Sequence, residues 1–232
     1  MLPTLKRQIP QAALWGVGVL LAACAASRLD EGILQRNENY PLIFESGVVV
    51  APVAYTGVLP APGEAREFFT EQMATAFFAG WPGRSFVSSG ELLHRMAAGG
   101  PAGRSQLEEF HAARIRGEAL TRELCASLNQ LVMHRYLLLP WAEEKVESGM
   151  VDPDREYTDY THADDVRRLR FEKVKGQLHG LIVDLWQAEV VWEGVAPYAT
   201  DTLYGGLAVN AEELLVARDT GVVDFMLLLT AP

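Results

Sequence analysis

The chain of 232 residues carries 30 Asp and Glu against 20 Lys and Arg, with 5 His, 2 Cys and 49% hydrophobic residues. That length and apolar content suit one globular domain with its own core, and they exclude wholesale disorder, a collagen-like repeat and a multi-span membrane protein. A formal charge of −10, with no Lys/Arg stripe to override it, would repel phosphate backbones and anionic lipid headgroups, so nucleic acid is not an expected partner.

The chain opens with Lys6 and Arg7, then an apolar run of 15 residues from Ala12 to Ala26. A basic start, a short apolar centre and small residues at its end are what a secretory signal needs to enter the translocon and present a cleavable segment. A spanning helix wants roughly 20 apolar residues, and Pro10 and Gln11 block extension on the N-terminal side.

Within this run, Leu21-Ala22-Ala23-Cys24 resembles the lipobox of bacterial prolipoproteins: an aliphatic residue, two small residues, then cysteine. The resemblance implies that the Cys24 thiol takes a diacylglyceryl group, that the peptide is cut before it, and that the new amine is acylated. Two or more buried acyl chains give a stable anchor without any spanning helix. Ala25 and Ala26 follow, where an Asp would resemble an inner-membrane retention signal, so the implied address is the periplasmic face of the outer membrane. The chain then divides into a signal peptide over 1–23, a lipidated N-terminus and tether over 24–45, and a folded domain over 46–232. The part after the signal holds 18 basic and 30 acidic residues, and Cys125 has no cysteine partner within it.

The first strand signal is the β-branched run from Gly47 to Tyr55, which Pro52 should end, bulge or confine to an edge. Glu64 to Ala79 places Phe69, Met73, Ala76 and Phe77 on one helical face, and Gly80-Trp81-Pro82-Gly83 stops it. Ser85 to Val87 suits only a short strand. Ser88 with Glu91 three residues on is a capping-box pattern that starts a second helix through Leu92, Leu93 and Met96. Gly99 to Gly103 reads as a flexible loop without P-loop or dinucleotide-binding spacing. A long helix follows over Ser105 to Gln130, weakened at Gly117, with Cys125 on its apolar side, and Arg135 to Trp141 reads as a buried strand. Lys173 to Leu185 and Glu189 to Tyr198 make an antiparallel hairpin. Asn210 caps a helix through Glu212, Leu215 and Val216, and Gly221 to Thr230 reads as a final apolar strand.

This order gives the α/β class: a single domain with a mixed β-sheet packed by helices. Taken over roughly residues 47 to 197, it resembles a superfamily of small envelope lipoproteins that includes the outer-membrane activators of penicillin-binding proteins and the curli-secretion lipoproteins. The resemblance rests on Val48 to Val53 before a helix, Arg135 to Trp141 behind a long helix, and the hairpin from Asp184 through Gly194. It implies an α/β domain that binds a partner protein. Ala188 stands where many such hairpins turn on glycine, and the C-terminal elements have no counterpart.

Glu147 to Asp165 holds seven acids against Arg155 alone. Oxygen ligands alternating from Asp152 to Glu156 could ring a hard cation, but the EF-hand glycine and bidentate glutamate are missing, so the segment reads as a solvated or partner-facing loop. Its contact residues would be Asp152, Asp154, Tyr157, Tyr160 and His162, the aromatic rings supplying apolar area with a polar tip. The histidines at 94, 111, 134, 162 and 179 show no zinc spacing and suit scattered surface or capping roles; His162 beside Asp164 and Asp165 is a weak general-base pattern. No nucleophile elbow and no Ser-x-x-Lys pair occurs. Trp141, Trp186 and Trp192 lie on predicted strands and suit sheet packing. No cofactor and no metal is expected. The function that follows is a non-enzymatic, lipid-anchored envelope protein that binds another envelope protein. Its alternatives are a ring-forming secretion subunit and a periplasmic cell-wall or glycan hydrolase built on a carboxylate pair.

Overall fold

The computed structural model describes residues 32–57, 62–80, 85–98, 101–150, 170–201, 203–204 and 210–231. Eight strands form one mixed sheet: β1 (Ile33–Arg36), β2 (Val48–Val50), β3 (Ala54–Gly57), β4 (Phe86–Val87), β5 (Tyr136–Met150), β6 (Arg170–Asp184), β7 (Glu189–Ala199) and β8 (Leu203–Tyr204). The order is β1-β7-β6-β5-β2-β4, with β3 beside β5 and β8 beside β6. β2 and β3 run parallel to β5, and β4 parallel to β2, while β5, β6, β7 and β1 alternate antiparallel. Six helices are described: α1 (Leu42–Ser46), α2 (Pro62–Gly80), α3 (Ser89–Ala98), α4 (Pro101–Ile115), α5 (Arg122–Val132) and α6 (Ala211–Thr230). This is the α/β domain with a mixed sheet that the element order predicts.

Strand alternation divides the core into two layers. Tyr136, Leu138 and Ala142 of β5 join Phe69, Met73 and Phe77 of α2 and Val222, Phe225 and Leu229 of α6 on one face. Leu137, Leu139 and Trp141 meet Leu92 of α3, Leu107 and Phe110 of α4, and Cys125, Leu128 and Val132 of α5 on the other. Burying each such side chain stabilises by about 1.5–3 kcal/mol.

Several expectations change in detail. The stretch expected to be a tether is, from Ile33 onward, part of the fold: Ile33–Arg36 pairs with Trp192, Glu193 and Gly194 of β7. The β-branched run breaks around Pro52 into β2 and β3, as proline requires. The glycine-rich loop is shorter than expected, because Pro101 opens α4, a position where its missing N–H costs nothing. The single helix over Ser105 to Gln130 is two, parted at Gly117 with φ +74°, and α5 restarts where Thr121 Oγ1 accepts from the Leu124 N–H. β5 runs on to Met150, so Glu147 lies on a strand, where it ion-pairs with Lys175 at 2.7 Å and Lys173 at 3.5 Å.

The largest correction is Gly221 to Thr230, which continues α6 instead of forming a strand. Ala217, Arg218, Gly221, Val222, Phe225, Met226, Leu228 and Leu229 are buried at helical spacing. An apolar run without clear alternation fits a buried helix as well as a strand. Gly221 serves the packing, since a Cβ there would stand 2.5 Å from Tyr198 Cδ1.

The β6–β7 turn works without glycine. Asp184 Oδ1 accepts from the Trp186 and Gln187 N–H groups, and Arg135 grips Oδ2 at 2.7 and 2.9 Å, while Ala188 takes φ +58°. Trp141 and Trp192 pack in the sheet, but Trp186 sits in this turn, exposed, with the Arg135 guanidinium 5.2 Å from its ring centre.

Candidate functional site

Sequence alternation along β5 puts Tyr136, Leu138 and Ala142 on one face, and the next residue of that parity is Glu144. Its carboxylate is fully enclosed and accepts four hydrogen bonds. The Arg218 guanidinium of α6 binds it through Nε and Nη2, each at 2.8 Å. Tyr55 of β3 donates at 2.6 Å and Tyr198 of β7 at 2.8 Å. Three strands and the C-terminal helix thus converge on one ion.

The electrostatics of this clasp are one-sided. Burial works against the Glu144 charge, but the Arg218 bonds and the two tyrosine hydroxyls outweigh it and hold the carboxyl below its ordinary range. Burial also opposes the Arg218 charge, which contact with Glu144 more than restores. Both tyrosines are pushed up, first by burial and then by the neighbouring carboxylate. A carboxylate held ionised with its lone pairs engaged neither gives nor takes a proton at neutral pH. Glu147 is lowered too, chiefly by its bond to Lys175. A glycosidase acid needs a raised pKa, and neither of these acids is shifted that way.

Thr56 of β3 lines two openings. One, of about 590 Å³, lies at the sheet end, where Glu143 and Lys145 of β5 stand opposite Gln177 and Lys175 of β6. The other, of about 510 Å³, lies between α2 and α4 along β3. His111 of α4 lines it, only 6% exposed and with its Nε2 without a partner. Burial pulls its pKa down to about 4, so the ring is neutral at pH 7.

Of the residues singled out in sequence, Cys24, Asp152, Asp154, Tyr157, Tyr160 and His162 lie outside the described residues. The strands that lead to the last five are described: the pairing of β5 with β6 runs out to Met150 and Arg170. β3 stops against Glu144 and β7 against Lys175. Cys125 is fully buried and its thiol is pushed up by that burial. His94 is exposed and His179 stacks on Trp141 at 4.8 Å, but His111 departs from the expected surface or capping role. Among the described residues no group of three His, Cys, Asp or Glu could hold a metal, and no helix is long and apolar enough to cross a membrane.

The clasp was not anticipated in the sequence. Strand parity alone points to Glu144, and helical spacing from Arg218 to Gly221, Val222 and Phe225 would have exposed its partner had that run been taken as a helix.

No protein-family model and no curated protein matches the chain. Solved structures share its fold loosely. Lipoprotein GNA1162 from Neisseria meningitidis is 13% identical over 77% of this chain and 96% of its own, with a TM-score of 0.39. A neuraminyllactose-binding hemagglutinin homolog from Helicobacter pylori is 7% identical over 78% and 81%, with a TM-score of 0.44. The LpoB C-terminal domain from Salmonella enterica is 14% identical over 68% and 90%, with a TM-score of 0.31. At these scores the likenesses assign neither family nor activity.

Proposed function

We propose that the chain is a lipoprotein of the bacterial envelope, anchored through Cys24 at the periplasmic face of the outer membrane, that works by binding another envelope protein. The observation that carries this is the Leu21-Ala22-Ala23-Cys24 pattern at the end of a short apolar segment behind Lys6 and Arg7. Binding is favoured over catalysis by the buried carboxylate, which is spent on holding α6 to the sheet. The paired strands β5 and β6, whose outer residues reach past β3 and β7, lead to the acidic segment with Asp152, Asp154, Tyr157, Tyr160 and His162, the first place to look for a contact.

Two experiments test it. Cys24→Ala should leave an unprocessed precursor, and normally sized, membrane-bound protein after that change would refute the anchor. Crosslinking in living cells, followed by detergent extraction and mass spectrometry, should return one discrete adduct that Tyr157→Ala with Tyr160→Ala removes. An abundant, folded protein with no specific adduct would refute the partner-binding role. Among the described residues the sheet ends in β1 and β4, with Leu34 of β1 57% exposed, so a ladder of self-adducts would instead mark the ring-forming alternative.

A further inference from the structure

Among the described residues the sheet has room for one more strand. β2 and β3 follow each other along the same side of β5, but only β2 has an outer neighbour: β4 pairs with Val48 and Val49 and ends at Val87. β3 is bonded to β5 along one edge, and among the described residues no strand pairs with its other edge. The 510 Å³ groove lies there, floored by Ala54 and Thr56 and walled by Thr70 of α2 on one side and Leu107, His111 and Ile115 of α4 on the other. α2 and α4 belong to opposite helical layers, so the groove lies in the plane of the sheet where the next strand would sit.

Two polar groups lie beside it, and one of them is unpaired. The Val53 N–H, just before β3, is taken by the Thr70 hydroxyl at 3.2 Å instead of by a strand. His111 keeps a buried nitrogen, Nε2, with no partner, a condition that is normally costly.

We propose that this slot receives an extended segment of a partner protein, added as a strand beside β3. This rests on the partner-binding role above and gives it a mode and a chemistry. Strand addition draws affinity from main-chain hydrogen bonds and specificity from alternate side chains. Here the α4 wall is apolar at Leu107 and Ile115, its charges Arg104 and Glu108 being paired with each other at 3.0 Å, whereas the α2 wall carries Thr70 and two acids, Glu67 and Glu71, against one base, Arg66. The segment that fits therefore alternates apolar residues towards α4 with hydroxyl or basic residues towards α2. The same edge of a second copy does not fit, because it is recessed between its own α2 and α4.

The probe is a fluorescent peptide of about ten residues alternating Val and Lys, measured by anisotropy against the full chain in detergent. Two further peptides carry backbone N-methyl groups on every Val or on every Lys, which strips donors from one edge of the strand or the other. One of the two should bind at least roughly tenfold more weakly and the other as the parent does, the loss of about 1.4 kcal/mol matching one or two main-chain bonds. Ala112→Trp, which fills the groove from α4, should weaken the parent peptide by a similar factor with an unchanged melting curve. No binding, equal binding by both methylated peptides, or full binding by a folded Ala112→Trp would overturn the proposal, as would occupation of the slot by a second copy. The methylated pair needs no variant, so misfolding of Ala112→Trp leaves the test intact. A crosslinked partner without peptide binding would remove the slot alone, and peptide binding without any cellular adduct would remove the cellular role alone.

Discussion

Replacing Arg218 by Met keeps most of the side-chain volume and removes the cation bonded to Glu144. The carboxylate then stays enclosed with just the Tyr55 and Tyr198 hydroxyls as donors, having lost two bonds of 2.8 Å. Stranding one member of a buried ion pair costs about 3–5 kcal/mol. In a domain of this size each kcal/mol moves the melting temperature by about 2–4 °C, so Arg218→Met should melt roughly 6–20 °C below the parent. The sign of the pH effect is specific. In the parent, Glu144 titrates below its unfolded value, so its contribution is full above that value and is lost as pH falls through the lower, folded one. In Arg218→Met the burial that Arg218 offset is uncompensated, the carboxyl titrates higher, and acid relieves the trapped charge. Urea unfolding followed by tryptophan fluorescence at pH 7 and near pH 4.5 should therefore show the gap to the parent shrinking at the lower pH. Arg218→Met with Glu144→Gln should recover part of the loss, since no stranded charge remains. A loss below about 1 kcal/mol at pH 7, or a gap that widens in acid, would refute the clasp as the element that ties α6 to the sheet.

Gly221→Ala should destabilise by about 1–3 kcal/mol in the same assay, because its Cβ would stand 2.5 Å from Tyr198 Cδ1 in a packed layer. His111 should stay neutral in the folded protein down to about pH 4, read by NMR of its ring protons. Its folded pKa lies below the unfolded value, so its share of stability is present above about pH 6.5 and is lost as pH falls towards the folded value; His111→Phe should flatten that part of the pH–stability curve. The Cys125 thiol, buried and raised, should resist a thiol reagent in the native protein and react promptly in urea.

Local signals carried much of the architecture. The alternation of β5 to β7, the Phe69–Met73–Phe77 stripe of α2 and the Ser88 hydroxyl accepting from the Glu91 N–H at 3.3 Å are all visible in short windows. What escaped depends on distance along the chain or on ambiguous apolarity. Glu144 and Arg218 lie 74 residues apart, and nothing near either one announces the other. Gly221 to Thr230 is apolar enough to suit a strand and becomes a helix because Phe225 and Leu229 must reach Trp192 and the sheet from one side. The edge strand at Ile33 is four residues long among polar neighbours and draws its support from β7, over 150 residues away. His111, expected in a surface or capping role, is buried where α4 packs beside β3, a contact no local pattern announces.

The two ends of the described fold close on each other. The Arg36 guanidinium donates to the Ala231 carbonyl, Tyr40 bonds the Leu229 carbonyl, and α6 seals a face of the sheet whose edge is β1. Phe69, Phe77 and Trp192 therefore share their buried layer with the helix that comes last among the described elements, so this layer is complete only when residues nearly 200 positions apart have met.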